Sequence, residues 1–327
     1  MTDLSILIPV YGVEAYMRRC AESLFSQTLK EGVEFIFVDD ASPDRSAEII
    51  METLKRHPER RDQVKLIRHE RNRGVAAARQ TALDAASGRY IIYSDSDDWT
   101  DAGMYADMLA RALETDADIV SCDYTGEFPG KSITYSQNPG DDIVAFRCRL
   151  LSGRLHNCLW NKRIRRQLFD KVNVPFTEGH NHWEDVALTC RLIRHAERFS
   201  HINRAYYHYF QGNAAAYTRN VSEVSIANMI RSCRMVTDFY SALPDAGVYS
   251  TALRFLRGRT LYNALRHSAN NRHAALIADL DPERNLTGSE IPAGKIDRIT
   301  FTLFLKGKDA AAKSLLKLKD TLKRLLR

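Results

Sequence analysis

The chain has 327 residues, 44% of them hydrophobic and 27% charged, a composition that is typical of folded globular proteins and argues against disorder or a coiled coil. No apolar run reaches the roughly 18 residues that a membrane-spanning helix needs, and the first ten residues lack the basic segment and cleavage site of a signal sequence. We therefore expect a cytoplasmic protein with an α/β domain large enough to bury a substantial core.

The cysteines and the distribution of charge further limit the classes of function that this protein can have. The six cysteines are scattered, without the C-x-x-C pairs of zinc or redox sites, so we expect reduced thiols in the core. The net charge of +6 equals that of residues 306–327, which contain eight Lys or Arg and two Asp, and residues 1–305 are neutral as a whole. A charge so localised argues against a nucleic-acid partner and indicates a basic tail with its own partner.

The first 121 residues alternate short β-rich apolar runs with helical patterns, which is typical of βαβ units in a Rossmann-like, mostly parallel sheet flanked by helices. The predicted strands cover residues 4–9, 35–38, 64–68, 90–93 and 119–121. The predicted helices between them cover residues 14–25, 46–54, 75–86 and 104–114.

The pattern changes after this region. Residues 124–142 are rich in Gly, Pro, Ser and Asp and predict a loop or a hairpin. Helical patterns follow over 143–169, 221–239 and 250–277, with a linker predicted at 281–295. We predict one α/β domain over residues 1–215 and a helical C-terminal region over 221–327.

Two acidic clusters stand directly after predicted strands: Asp39 with Asp40, and the run Asp95-Ser96-Asp97-Asp98. Ligands of open parallel sheets bind at the carboxyl ends of the strands. A lone D-x-D is usually a solvated turn, but two clusters at one sheet edge indicate a hard divalent cation, Mg²⁺ or Mn²⁺, that neutralises a diphosphate. The chain has no G-x-G pair and no P-loop, which argues against those phosphate-binding folds.

Several segments carry a family resemblance. They are SILIPVY at 5–11, SLFSQT at 23–28, VDDASPD at 38–44, NRG at 72–74 and SDSDDW at 94–99. In this order and spacing the chain resembles the family-two glycosyltransferases with the GT-A fold. The resemblance implies inverting transfer of a hexose or N-acetylhexosamine from a nucleotide-diphosphate donor, preferably a UDP-sugar, to a hydroxyl of a glycan or lipid-linked acceptor.

The resemblance also implies roles for individual residues. Asp97 and Asp95 are the implied metal ligands. The implied donor-binding residues are Pro9, Tyr11, Asp39, Asp40, Arg79, Asp95, Ser96 and Asp98. At Arg79 the chain departs from the family pattern, because Gln80 stands where the family usually has Asn.

The pair Glu184-Asp185 resembles a later family landmark. Inversion requires a general base that removes the proton of the acceptor hydroxyl as its oxygen attacks the anomeric carbon. The resemblance implies that Asp185 is this base and that Glu184 orients it or binds the acceptor. The two acids could also simply begin a helix, where negative charge favours the helix dipole, and both roles are compatible.

Three histidines could serve as further metal ligands. His180 and His182 lie in a polar segment, where histidines are more often solvated than metal-bound. His208 lies in the aromatic run 206–209, which predicts packing at a sheet edge, and it is a weaker candidate for a third ligand.

The tail predicts a basic amphipathic helix, with Leu315, Leu318, Leu322 and Leu325 on one stripe and lysines on the other faces. Such a helix can lie on an anionic membrane surface, which would make the enzyme peripheral on the inner face of the membrane. A helix packed on the domain, or a self-association helix, is the alternative.

Two other functions stay open. A sugar nucleotidyltransferase shares the α/β sheet and acidic metal sites, but it would need a glycine-rich basic loop after the first strand, where this chain has YGVE at 11–14. A non-catalytic nucleotide-sugar-binding protein is the second alternative. The presence of Asp95, Asp97 and Asp185 argues against it.

Overall fold

The computed structural model describes residues 2–172, 176–214, 216 and 220–325, with side chains up to residue 322. The chain forms two compact units, one of residues 1–146 and 157–216 and one of residues 147–156 and 217–327. The first unit contains 25 Lys or Arg and 31 Asp or Glu, a net charge of −6, and the second contains 22 and 10, a net charge of +12. The neutrality of residues 1–305 is therefore a cancellation between an acidic and a basic unit.

The first unit alternates strands and helices along the chain. The elements, in order, are β1 (Leu4–Val10), α1 (Glu14–Phe25), β2 (Val33–Asp39), α2 (Ser46–Leu54), β3 (Val64–Arg68), α3 (Val75–Asp84), β4 (Tyr90–Tyr93), β5 (Trp99–Thr100), α4 (Met104–Thr115), β6 (Ile119–Phe128), β7 (Lys131–Tyr135), α5 (Ile143–Leu151), β8 (Lys162–Arg165), α6 (Gln167–Asp170), α7 (Glu184–His195) and β9 (Phe199–Phe210). Helix α5 runs from this unit into the second.

The strands form one sheet in the order β3-β2-β1-β4-β8-β6-β9-β5, with β7 paired to β6. Strands β1 to β4 are parallel, whereas β8 runs antiparallel to both β4 and β6. Strand β9 is parallel to β6 and antiparallel to β5. The predicted α/β class is confirmed, and the sheet is mixed in its second half.

Burial explains the central strands. Every residue of β1 and β2 is buried, as expected for parallel strands covered by helices on both faces. Helix α1 covers one face with Met17, Cys20, Ala21, Leu24 and Phe25, which recur at the three- and four-residue spacing of one helix side. This packing fixes the carboxyl ends of β1 and β2 relative to each other.

The second half of the first unit differs from the sequence prediction. Residues 143–169 are not one helical region, because β8 and α6 follow α5. Residues 124–142 contain the β6–β7 hairpin, and β9 is an additional strand. Strand β9 pairs with β6 from Ile119–Phe199 onward, 80 residues apart in the chain, and local patterns do not reveal such a partner.

The second unit is helical, which confirms the predicted helical C-terminal region. Its helices are α8 (Glu223–Ser241), α9 (Ala246–His267), α10 (His273–Leu280), α11 (Lys295–Leu305) and α12 (Asp309–Leu325). Helix α8 begins at a capping box in which Ser222 and Ser225 satisfy each other's backbone N–H groups. Within the described residues, no helix combines the length and apolar character needed to cross a membrane.

Candidate active site

The predicted site residues of the first half meet at the carboxyl edge of the parallel strands. Pro9 is buried near the end of β1, opposite Val38 of β2. Tyr11 follows β1 with half of its surface exposed. The open tyrosine ring at the strand end is therefore available to a planar ligand group.

Asp39 ends β2 and is buried. Its Oδ1 accepts a hydrogen bond from the Ser42 backbone N–H at 2.8 Å. Its Oδ2 accepts no hydrogen bond within the described part of the chain, although Arg68 Nε lies 3.2 Å away. A buried carboxylate oxygen that lacks a donor costs free energy, so a ligand hydroxyl would be a favourable partner here.

Asp40 makes a different set of contacts. Its Oδ1 accepts from the Arg73 N–H at 2.8 Å and lies 2.6 Å from His69 Nδ1, and its Oδ2 accepts from the Gly74 N–H at 2.7 Å. Both oxygens therefore hold the loop that leads into α3. The donor-binding role of Asp40 stays a prediction, beside this structural role.

The acidic turn after β4 is fixed by β9. Asp98 is fully buried and accepts from Tyr207 Oη at 2.8 Å and from the Phe210 N–H at 2.7 Å. Burial raises the pKa of Asp98 well above its usual value, and the charges of Asp97 and Asp95 add to this rise. Asp98 thus stabilises the turn, and it is also a candidate for binding the nucleotide-sugar donor.

Asp97 and Asp95 point to a cation. Asp97 is half-buried, and its Oδ2 accepts from Asn213 Nδ2 at 2.8 Å. Burial raises the pKa of Asp97, and the charge of Asp95 contributes to the rise. Crowded and partly desolvated carboxylates are stabilised by a positive ion, so these residues, with buried Ser96 between them, fit Mg²⁺ or Mn²⁺.

The rest of the coordination sphere would have to come from elsewhere. Within the part of the chain that the structure describes, no three His, Cys, Asp or Glu side chains are arranged to hold a metal ion. That arrangement agrees with Mg²⁺ sites in which one or two carboxylates share the ion with substrate phosphates and water.

Arg19 of α1 is a site residue that the sequence analysis missed. Its Nη2 donates to the Asp97 carbonyl oxygen at 3.0 Å, and its guanidinium lies 3.7 Å from the centre of the Trp99 ring. These contacts join α1 to the acidic turn. The amphipathic pattern of α1 gave no signal for them, because half-exposed arginines are common on helices.

The Trp99 ring also stacks on His208, with ring centres 5.0 Å apart. His208 Nδ1 lies 2.8 Å from Glu127 Oε1, and its Nε2 lies 3.2 Å from Asp101 Oδ1. Both ring nitrogens thus face protein carboxylates. This arrangement favours a packing role for His208 over that of a third metal ligand.

Arg79 joins the two acidic regions. Its guanidinium is buried, and it donates through Nη2 to Asp95 Oδ1 at 2.9 Å and through Nη1 to Glu184. Burial alone would lower the pKa of Arg79, but the charges of Asp95, Glu184 and Asp185 outweigh burial and raise it. The carboxylates after β4 and those that begin α7 therefore lie in one site.

Glu184 and Asp185 form the first turn of α7. Burial raises the pKa of both carboxyls, and the charge of Arg79 opposes that rise. Trp183, directly before them, has φ of +63°, a left-handed conformation that is strained for an aromatic residue. A desolvated carboxylate held by a strained backbone is well suited to acid–base chemistry, and its place at a helix start is compatible with that role.

The segment before α7 is anchored to α3. Asn181 Oδ1 accepts from the Ala76 N–H at 3.1 Å, and the Asn181 amide lies so close to Gly74 that a side chain at position 74 would clash with it. The expectation that His180 and His182 are solvated is wrong, because both are buried.

Comparison with known proteins agrees with this geometry. The family model "Glycosyl transferase family 2" matches residues 5–183. The inferred glycosyltransferase EpsH of Bacillus subtilis (strain 168) is 28% identical over 289 residues, which cover 81% of each chain. Among solved structures, S. aureus TarS 1–349 in complex with UDP-GlcNAc is similar with a TM-score of 0.70 at 18% identity, covering 98% of this chain and 92% of TarS.

A second solved structure has a similar fold. It is the mannosyltransferase PcManGT from Pyrobaculum calidifontis in complex with GDP-Man and Mn²⁺, with a TM-score of 0.54 at 16% identity, covering 95% of this chain and 86% of the other. At such identities these structures bear on the fold alone. The family match extends over more than half of the chain, and the protein is therefore a GT-A glycosyltransferase of family 2.

Proposed function

We propose that the enzyme transfers a sugar from a UDP-sugar to a hydroxyl group, with inversion at the anomeric carbon and with a divalent cation. The observation that carries the proposal is Arg79, which links Asp95 after β4 with Glu184 at the start of α7. The carboxylates of the sugar-donor site and the proposed catalytic base therefore lie in the same charged site. The UDP-GlcNAc complex of TarS supports a UDP-sugar as donor, and the Mn²⁺ complex of PcManGT supports a metal.

On the donor side, each residue has a role that its contacts support. Asp39 has a carboxylate oxygen that accepts no hydrogen bond from the described chain, and a ribose hydroxyl or a nucleobase N–H could donate to it. The exposed ring of Tyr11 could stack on the nucleobase. Asp97 and Asp95 would hold Mg²⁺ or Mn²⁺, which supplies positive charge to the departing diphosphate. Arg79 orients Asp95, and Arg19 holds the main chain at Asp97.

On the acceptor side, Asp185 is the proposed base. The acceptor oxygen forms a bond to the anomeric carbon, the bond from that carbon to the diphosphate oxygen breaks, and the hydroxyl proton moves to the Asp185 carboxylate. Burial raises the pKa of this carboxylate and so strengthens it as a base. Glu184, held by Arg79, positions the turn that carries it.

A panel of nucleotide sugars, assayed with Mn²⁺ and with a chelator, tests the proposal. We expect consumption of a UDP-sugar with Mn²⁺ and its loss with the chelator. Undiminished turnover in the chelator would contradict the metal. Release of pyrophosphate from a nucleoside triphosphate and a sugar phosphate would favour the nucleotidyltransferase, and donor binding without consumption would favour the non-catalytic alternative.

We also propose that the enzyme meets its acceptor at a membrane surface, to which helix α12 binds. Helix α12 packs through buried Leu316, and Lys319 pairs with Asp297 of α11, while Leu318 and Leu322 remain 55% and 44% exposed. Two adjacent leucines that face water on a lysine-rich helix suit the interface of an anionic membrane. Leu325 of the predicted stripe lies outside the side chains that the structure describes.

We therefore propose reversible binding of α12 to the cytoplasmic membrane face, where a lipid-linked or glycan acceptor would be met. The double variant Leu318→Ser/Leu322→Ser should lose sedimentation with anionic vesicles at low salt. The control is Leu113→Ser, at an equally exposed leucine of α4 in the acidic unit. If the double variant sediments like the parent, α12 does not bind membranes through its leucines.

A further inference from the structure

A cleft of about 370 Å³ lies in the second unit, between the end of α8, the first turns of α9 and the segment after α10. It is remote in the chain from the donor-site residues. The polar side chains that line it are Ser241, Ser250, Arg254, Arg257, Glu283 and Asn285.

Arg257 is distinctive because of its missing partners. Its Nε is buried without a hydrogen-bond partner, and no nitrogen of its guanidinium donates to another residue within the described ranges. Arg79 and Arg163 also have an unpartnered Nε, but both donate through their terminal nitrogens. The buried Nε–H has lost water without compensation, and the terminal nitrogens are not fully buried, so an anion in the cleft would be a favourable partner for this guanidinium.

The neighbouring charged side chains of the cleft, Arg254 and Glu283, make contacts with residues other than Arg257. Arg254 Nη2 donates to the Asn285 carbonyl oxygen and to Glu290 Oε1, each at 2.9 Å, which fixes its side chain at the cleft wall. Glu283 Oε2 accepts from Asn285 Nδ2 at 2.6 Å, so this carboxylate is held by a neutral amide rather than by Arg257, and it keeps its negative charge. The cleft belongs to a unit with a net charge of +12, which adds a favourable potential for anions.

We propose that this cleft binds a phosphate group through Arg257. The planar guanidinium fork matches two phosphate oxygens, and the exposed Ser241 hydroxyl can donate to a third. The phosphate could be carried by a lipid headgroup or by a soluble phosphorylated compound, and the chemistry of recognition is the same. The site does not depend on the proposed sugar transfer.

Equilibrium dialysis of the full-length protein with inorganic phosphate and with glycerol phosphate tests the proposal. Arg257→Gln should weaken binding by about 10- to 100-fold, the range for charge-assisted hydrogen bonds. Arg231→Gln is the matched control, because it removes the same charge from an exposed position of α8 outside the cleft. UDP affinity should be equal in all three proteins, which separates failure of this site from failure of the donor proposal.

Nitrogen-15 spectra of the parent protein give a readout that needs no variant, since the Arg257 Nε–H signal should shift saturably with the ligand. Phosphatidylglycerol vesicles, added to the Leu318→Ser/Leu322→Ser protein, distinguish the sources. A shift with these vesicles alone assigns the site to a lipid headgroup, and a shift with glycerol phosphate assigns it to soluble phosphates. No shift with either, or equal weakening by Arg231→Gln, would overturn the proposal.

Discussion

Buried carboxylates at the two ends of the parallel sheet differ in their hydrogen-bond partners and in the direction of their pKa shifts. At the amino-terminal end, Glu34 of β2 accepts from Ser5 Oγ, from the Ser87 N–H and hydroxyl, and from Lys65 Nζ, at 2.6 to 2.8 Å. Burial alone would raise the pKa of Glu34, yet these donors outweigh burial and lower it to about 2. This carboxylate is saturated with partners and stabilises the fold.

At the carboxyl-terminal end, the same types of side chain have the opposite balance. Burial raises the pKa values of Asp97, Asp98, Glu184 and Asp185, and the donors and cations around each carboxyl do not offset this rise. The difference teaches that burial alone does not mark a functional carboxylate. What differs between the two ends is whether hydrogen-bond donors and cations offset burial, and carboxylates that stay desolvated are favourable partners for a cation or a proton.

The largest effect that we expect comes from Asp185→Asn, which removes the proposed base and leaves the donor side intact. Transfer should fall about 10²- to 10⁴-fold with little change in UDP affinity, measured by steady-state kinetics and calorimetry. Asp142→Asn is the control, since Asp142 caps the start of α5 through the Ala145 N–H. Equal activity of both variants would leave Asp185 with a helix-start role only.

Asp97→Asn should weaken metal-dependent UDP binding by about 10- to 100-fold, because a carboxylate that meets the cation is lost. Calorimetry with and without Mn²⁺ measures this difference. Asp62→Asn, at an exposed aspartate, is the control. If metal still increases UDP affinity as it does in the parent, then Asp97 is no ligand.

Glu34→Gln tests the other end of the sheet. The lowered pKa stabilises the fold above the unfolded-state pKa of about 4.5, and this contribution is lost as the pH falls toward 2. Allowing for the exposed Lys65, we expect a loss of about 2 kcal/mol at neutral pH, seen in denaturant titrations. The parent and Glu34→Gln should converge near pH 2, and sugar transfer should be unchanged. A gap that persists in acid would contradict the assignment.

The smallest effect should come from Arg19→Lys, which keeps the charge but loses the planar stack on Trp99. We expect a loss of about 1 kcal/mol in stability and a reduction of metal-dependent UDP affinity of only a few fold. The neighbouring Arg18→Lys, at an exposed pair with Glu52, should change neither quantity. If Arg19→Lys is equally silent, then α1 does not position the acidic turn.

The first half of the fold was predictable because its signals are local. Each strand from β1 to β4 is an apolar run followed by a helical pattern, and turns separate them. Strand β8 was missed for a physical reason. Its sequence KRIR is basic, and Arg163 is buried only because its guanidinium lies 3.6 Å from the Tyr90 ring centre and donates to the Ala117 carbonyl oxygen. Partners distant in sequence supply that environment, and no local pattern contains them.

The candidate site was predictable to a similar depth. The resemblance singled out Asp95, Asp97 and Asp185, whereas the structure adds the link through Arg79 and the support from Arg19. Asp40 is the residue whose observed contacts were hardest to predict from the sequence. A carboxylate that follows a strand can face either a ligand or its own loop. Only the backbone path of residues 69–74 decides between them.

The start of α3 has a consequence for how the diphosphate can be bound. In many nucleotide-binding proteins, open N–H groups at a helix start cradle phosphate. Here the N–H groups of Arg73 and Gly74 donate to Asp40, and that of Ala76 donates to Asn181, so the chain's own side chains occupy this anion nest. Sugar-donor binding should therefore leave the hydrogen exchange of these three amides unchanged, because each of them already donates to a side chain of the protein itself.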